Sequence, residues 1–238
     1  MTMMHVGSLE MHLNRKPIKN LHISVLPPDG KIRVSAPEKM TDNAIRMAVI
    51  KRIPWIKKQK EEFARQPRQS DRKFVSGENH YLWGRRYRLE VIERRGSHEV
   101  IVSGSNKLKL YVNPGTKLKN KERVFNEFYR HELSNQINKL LTKWVKKIGK
   151  TPDFIGIKKM KTKWGSCNTQ DKRIWINLEL AKKAPECTEY ILVHELVHLL
   201  ERKHNENFMR YMDKFMPTWR ERRELLNKSP LSFSDWHY

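Results

Sequence analysis

Two histidines four residues apart, with a glutamate directly after the first, stand in the run His194-Glu195-Leu196-Val197-His198. On an α-helix a four-residue step turns through about 400°, so both imidazoles face the same way, about 6 Å apart along the axis. That spacing suits one zinc ion held at about 2.0–2.1 Å. Glu195 falls where a carboxylate can reach a water on such an ion, the place of a general base. The plain alternative is a buried helix that carries two histidines for packing.

A catalytic zinc needs a third protein ligand and one open position. His204 lies six residues beyond His198. On an unbroken helix it would point about 240° away, so the chain must bend between Leu199 and His204. The spacing is that of H-E-x-x-H-x-x-G-x-x-H, but Glu201 stands where that pattern has its Gly. A glutamate from a later helix, Glu221 or Glu224, is the other option for the third ligand. A solvent-facing histidine at a helix end is the remaining reading of His204.

Further residues extend the pattern. Lys163-Trp164-Gly165-Ser166-Cys167 is followed by Ile174-Trp175-Ile176-Asn177-Leu178, Ala184-Pro185, the His194 run, His204-Asn205 and Phe208. In this order and spacing they resemble the YgjP-like (DUF45) metallopeptidase family, which is related to SprT-type and WLM-type zinc proteases. The likeness covers about residues 155–210, with a looser likeness toward the N-terminal half. Met209 departs from the Trp that many relatives carry after the Phe. The resemblance implies a minimal zincin fold, with His194, His198 and His204 as ligands of Zn²⁺ and Glu195 as the catalytic base. It implies hydrolysis of a protein or peptide substrate by a metal-activated water. In zincins an edge strand beside the metal pairs with extended substrate. Lys163 to Ser166 is the candidate for that edge, which makes Trp164, Gly165 and Ser166 the expected substrate-binding residues. Otherwise this stretch is a tight structural turn with Trp164 packed on the core.

These groups need a scaffold. Residues 5–35 read as short strands around a turn at Pro27-Pro28-Asp29-Gly30. His5, His12 and His22 have no partners at ligand spacing and read as surface residues. Thr41 is a plausible N-cap for a helix carrying Ile45, Val49 and Ile53, which Pro54 should kink or restart. Gln66 to Ser70 reads as a linker. Strands return over 73–112, with a turn or bulge at Gly84. From Leu118 to Ile148 apolar residues recur at three- and four-residue steps, a long helix. Asp153 to Met160 and Arg173 to Asn177 read as strands. The metal-binding helix should begin near Pro185 and run to about Arg202, since Pro is tolerated in a first turn. Residues 206–227 give one or two more helices, whose methionines read as core filler. The expected fold is α+β: a minimal zincin-like catalytic domain, helices on a small mixed sheet, with an N-terminal β-rich extension. The expected division is 1–115 for the β-rich region with one helical segment, 116–228 for the metallopeptidase core, and 229–238 for a loose tail.

Composition sets bounds. With 38% apolar and 32% charged residues the 238-residue chain is globular rather than disordered. No run approaches the roughly 20 apolar residues that span a bilayer. Met1 to Lys16 lacks the apolar stretch of a secretory signal, and two cysteines make no disulfide framework, so a cytoplasmic setting is expected. Lys and Arg number 49 against 26 Asp and Glu, a net charge of +23. Such a charge attracts polyanions. Between Arg46 and Lys73 there are ten basic and three acidic residues, and from Lys139 to Lys163 nine lysines with only Asp153. Nucleic acid is therefore a candidate partner, the second stretch being the favoured contact. A basic nucleic-acid-binding protein with a structural or inactive zinc site is the alternative function. Oligomeric state is not legible.

Overall fold

The computed structural model describes residues 2–26, 30–65, 72–160 and 163–228. They form an α+β fold of three small mixed sheets and five α-helices. The turn at Pro27-Pro28-Asp29, the linker Gln66 to Ser70 and the tail 229–238 lie outside the described residues.

The chain divides into two compact units between residues 69 and 70. The boundary expected at 115/116 therefore falls inside the second unit. Leu82, Leu89, Leu108 and Leu110 of its strands share one buried cluster with Phe125, Leu133 and Leu192 of its helices. A change of hydrophobic period marks the end of a sheet, and here the core continues across it.

In the first unit β1 (Thr2–Val6), β2 (Leu9–Lys16), β3 (His22–Leu26) and β4 (Lys31–Pro37) form a sheet of order β1-β2-β4-β3. Alternation sends Leu9, Met11, Leu13, Ile32, Val34 and Ala36 to one buried face. Helix α1 (Asp42–Arg65) completes that core with Ile45, Val49 and Ile56. Thr41 caps it as expected, its hydroxyl oxygen accepting from the Ala44 N–H at 3.3 Å. The helix runs on through Pro54 without a restart. The ring lies on the exposed side, and Ile45, Val49 and Ile56 anchor the helix on both sides of it. His5, His12 and His22 are exposed.

The second unit opens with the same arrangement. Strands β5 (Asn79–Leu82), β6 (Arg85–Glu93), β7 (Glu99–Ser103) and β8 (Lys107–Val112) take the order β5-β6-β8-β7 and lead into α2 (Leu118–Ile148). Both sheets have a two-residue first hairpin, a central parallel pair registered over six residues, and antiparallel outer pairs. The ββββα topology thus occurs twice in the chain.

The hairpin tip at Trp83-Gly84 has positive φ at both residues, the backbone of a tight I′ turn. Its N–H groups donate to the carbonyls of Ala181 (2.9 Å) and Lys182 (3.3 Å), so the tip supports the segment that enters the helix carrying His194. A Cβ at Gly84 would lie 3.2 Å from the Ala184 backbone. Gly84→Ala is expected to destabilise the fold by about 1–3 kcal/mol, read as a lowered denaturant midpoint, because strain and contact act together.

The third sheet, of order β10-β11-β9, joins β9 (Phe154–Lys158), β10 (Gly165–Asn168) and β11 (Arg173–Asn177). A 3-10 helix, Leu178–Lys182, follows, then α3 (Pro185–Val197), α4 (Glu206–Phe215) and α5 (Trp219–Lys228). Met212 and Met216 are buried, as core filler should be. Among the described residues no helix is long and apolar enough to cross a membrane.

Candidate metal centre

Helix α3 is apolar nearly all round. Tyr190, Ile191, Leu192, Val193, Leu196 and Val197 are buried, as a helix packed on several sides must be. Pro185 sits in its first turn, where a missing N–H costs nothing. Its register is fixed by Glu189. That carboxylate accepts from the Trp144 indole N–H at 2.9 Å and from Lys143 at 3.1 Å, both on α2, and from Arg222 on α5. The Lys139–Lys163 run is thus partly committed to structure. Lys143 and Lys147 both lie over the Trp144 ring, and Lys147 also donates to the Phe215 carbonyl.

The helix ends at Val197, with His198 as its C-cap, and not near Arg202. Leu199 and Leu200 stay apolar because they pack against the core, although they are no longer helical. N–H groups of Leu199 and Leu200 donate to the carbonyls of Leu196 and Val197, tightening the last turn. None of residues 199–204 has positive φ, so the bend needs no glycine and Glu201 is tolerated in its place. Asn205 then caps α4, its side-chain oxygen accepting from the Phe208 N–H at 3.1 Å.

This bend brings His204 back to the other two histidines. One ring nitrogen from each of His194, His198 and His204 lies within 4.8 Å of the others. The Nε2 atoms of His194 and His204 are 3.0 Å apart. Ligands at zinc distances on a tetrahedron sit roughly 3.3 Å from one another. Ring centroids are separated by 4.9, 5.0 and 4.6 Å. The buried Phe208 ring lies 4.7–4.9 Å from all three and forms the floor beneath them. The Nδ1 of His198 is 3.1 Å from the Glu201 carbonyl. With its proton donated there, the Nε2 lone pair is left for a metal. Burial, reinforced by its histidine neighbours, pushes His194 down to about 3, and burial also lowers His198. Both rings therefore stay neutral at physiological pH, the state a metal requires. Among the described residues this is the one cluster of three donors. Glu221 and Glu224 lie on α5 and are no part of it.

Glu195 is only 4% exposed. Burial pushes its carboxyl up to about 8, while Lys163 pulls the other way. The group meets β10 directly: a Cβ on Gly165 would come within 2.4 Å of Glu195 Oε1. Glycine is what lets the strand pass over the carboxylate. Strand β10 is an edge of its sheet, pairing Gly165 with Ile176 and Ser166 with Trp175. It begins at Gly165, so Lys163 and Trp164 lead into it. Gly165→Ala is expected to keep metal content and lower any Glu195-dependent turnover by about 10-fold or more, since a small displacement of a base is costly. Full turnover with the extra methyl would show that Glu195 does not need its present position.

One residue that the spacing arguments missed organises this edge. Buried Asn177 donates through its side-chain nitrogen to the carbonyls of Met160 (2.9 Å) and Lys163 (2.8 Å). Its backbone N–H donates to the Trp164 carbonyl at 2.9 Å. Its signal in the sequence is a polar residue directly after the apolar run Ile174-Trp175-Ile176. Trp164 is half-buried and packs on the core, with Lys183 Nζ 5.6 Å above its ring. Cys167 is half-buried too. Burial, with the Glu195 charge second, raises its thiol to about 11, and it is no part of the three-histidine cluster. Tyr211 stacks on Phe215 at 6.1 Å and His131 is exposed beside Asn135, so each has a structural place.

The sequence model of the YgjP-like metallopeptidase domain matches residues 19–229. Two solved structures show partial likeness. The metallopeptidase zymogen abylysin of Pyrococcus abyssi is 24% identical, with a TM-score of 0.34, over 37% of this chain and 87% of its own. The metallopeptidase zymogen jannalysin of Methanocaldococcus jannaschii is 24% identical, with a TM-score of 0.33, over 41% and 86%. No curated protein matches the chain.

Proposed function

The chain belongs to the YgjP-like metallopeptidase family, and from that premise we propose that it is a zinc-dependent peptidase with Glu195 as general base. The observation that carries the proposal is the convergence of three imidazoles beside a buried carboxylate under an edge strand. Three histidines and, among the described residues, no fourth protein donor suit a catalytic rather than a structural zinc, since structural sites are closed by four N or S ligands. This weighs against the alternative of a nucleic-acid-binding protein with a silent zinc site.

His194, His198 and His204 would hold the ion. Bound there, zinc supplies Lewis acidity for the scissile carbonyl and lowers the pKa of water toward about 7. Glu195 takes the proton of the attacking water and hands it to the leaving amine. The dry pocket around its carboxylate strengthens its hold on that proton. Backbone groups of the Trp164–Ser166 edge hydrogen-bond an extended peptide and set its distance from Glu195. The +23 charge favours acidic partners, nucleic acid among them, and predicts association that weakens steeply with salt. Two free cysteines suit a reducing, cytoplasmic setting.

The test is metal analysis of purified protein followed by cleavage of a broad peptide library. About one zinc per chain is expected, with cleavage abolished by chelation and restored by added zinc. Cleavage that survives complete metal removal would refute the mechanism.

A further inference from the structure

The repeated ββββα topology makes the two long helices comparable. Helix α2 packs on its own sheet through β7 and, on other sides, against the 3-10 helix and α3. Helix α1 packs on its own sheet through β1 and β3. Among the described residues its opposite side is exposed: Met47 is 56% exposed and Ile50 46%.

The pattern of that open side is specific. At 100° per residue, Met47, Ile50 and Pro54 fall about 140–200° from Ile45, diametrically opposite the buried arc of Ile45, Val49 and Ile56. Arg46 and Lys57 flank this apolar stripe on one side, Lys51 and Lys58 on the other, all exposed. Glu61 closes its C-terminal end. Pro54 brings no N–H, so the Ile50 carbonyl lacks its usual helical donor and adds a polar atom to the stripe.

We propose that this face of α1 docks a protein partner presenting an apolar stripe bordered by carboxylates, an acidic amphipathic helix being the simplest. An apolar centre with a charged rim is the anatomy of a protein–protein interface. A nucleic-acid surface would place its cations at the centre, where phosphates lie, and here the centre is aliphatic. The cationic rim repels a second copy of a +23 chain and attracts an acidic partner. The topological repeat adds a contrast: α2 packs against helical segments as well as its own sheet, and α1 offers an exposed apolar stripe to a helix from outside.

The probe is a synthetic helical peptide with leucines along one face and glutamates on both flanks. It is compared with the same peptide carrying lysines for glutamates, and with single-stranded and duplex DNA of matched charge. The full chain is expected to bind the acidic peptide and not the basic one. Met47→Glu combined with Ile50→Glu, and separately Lys51→Glu combined with Lys58→Glu, should each weaken it by about tenfold or more. Zinc content and circular dichroism should not change, since these side chains are exposed. Equal or absent binding of the two peptides would overturn the proposal. So would DNA binding that the Met47/Ile50 variant abolishes, or a dimer that it dissolves.

Discussion

On the proposed mechanism, Glu195→Gln is expected to keep parent-like zinc content and lower peptide hydrolysis by about 10²–10⁴-fold, the range over which general-base catalysis acts. The amide is nearly isosteric with the carboxylate and will fit beneath Gly165, but it cannot accept a proton. Zinc per chain measured alongside turnover separates this from loss of the metal. The metal-free protein gives a second reading. Burial raises the Glu195 carboxyl from 4.5 to about 8 in the fold. A carboxyl whose folded pKa is raised contributes its full stability below its unfolded pKa and loses it as pH climbs through the folded one. Metal-free Glu195→Gln should therefore exceed the metal-free parent in stability at pH 8 and above, by on the order of 2–4 kcal/mol. At pH 4 the two should coincide. Parent-like turnover in the Glu195→Gln variant would remove Glu195 from the mechanism.

His204→Ala will lower zinc affinity by at least about 100-fold and abolish turnover with it, since loss of a direct ligand must exceed the 10–100-fold cost of losing a partner behind one. Two imidazoles would remain on the end of α3, too few for a stable site. The fold should persist, because His204 is exposed and the surrounding core does not depend on it. Glu221→Gln and Glu224→Gln serve as controls and should leave zinc content unchanged, as both lie on α5 outside the cluster. Undiminished stoichiometry in His204→Ala would require a different third ligand.

The reach of the sequence varies from residue to residue. His194 and His198 are legible because the helical repeat alone puts them on one face. His204 is legible as a necessity: six residues cannot return to the metal without a bend. The end of the helix is not legible, because Leu199 and Leu200 remain apolar for core packing after helical bonding has stopped. The 3-10 helix is hidden too, as Leu178, Leu180 and Ala181 are apolar for core packing over a stretch too short to show a helical period. The contact of Gly165 with Glu195 joins residues 30 positions apart and exists only once α3 packs on β10. The twofold use of one topology escapes a reading by period, since its two copies bury different side chains at matching places.

All three prospective ligands lie within eleven consecutive residues, 194 to 204, seated on Phe208. A cation there cross-links a very short loop, and short loops cost little conformational entropy to close. The ion is thus a fastener for one bend rather than a rivet through the molecule. Stripping it should quicken amide exchange over Leu199 to Asn205 and leave the strands and long helices as protected as before.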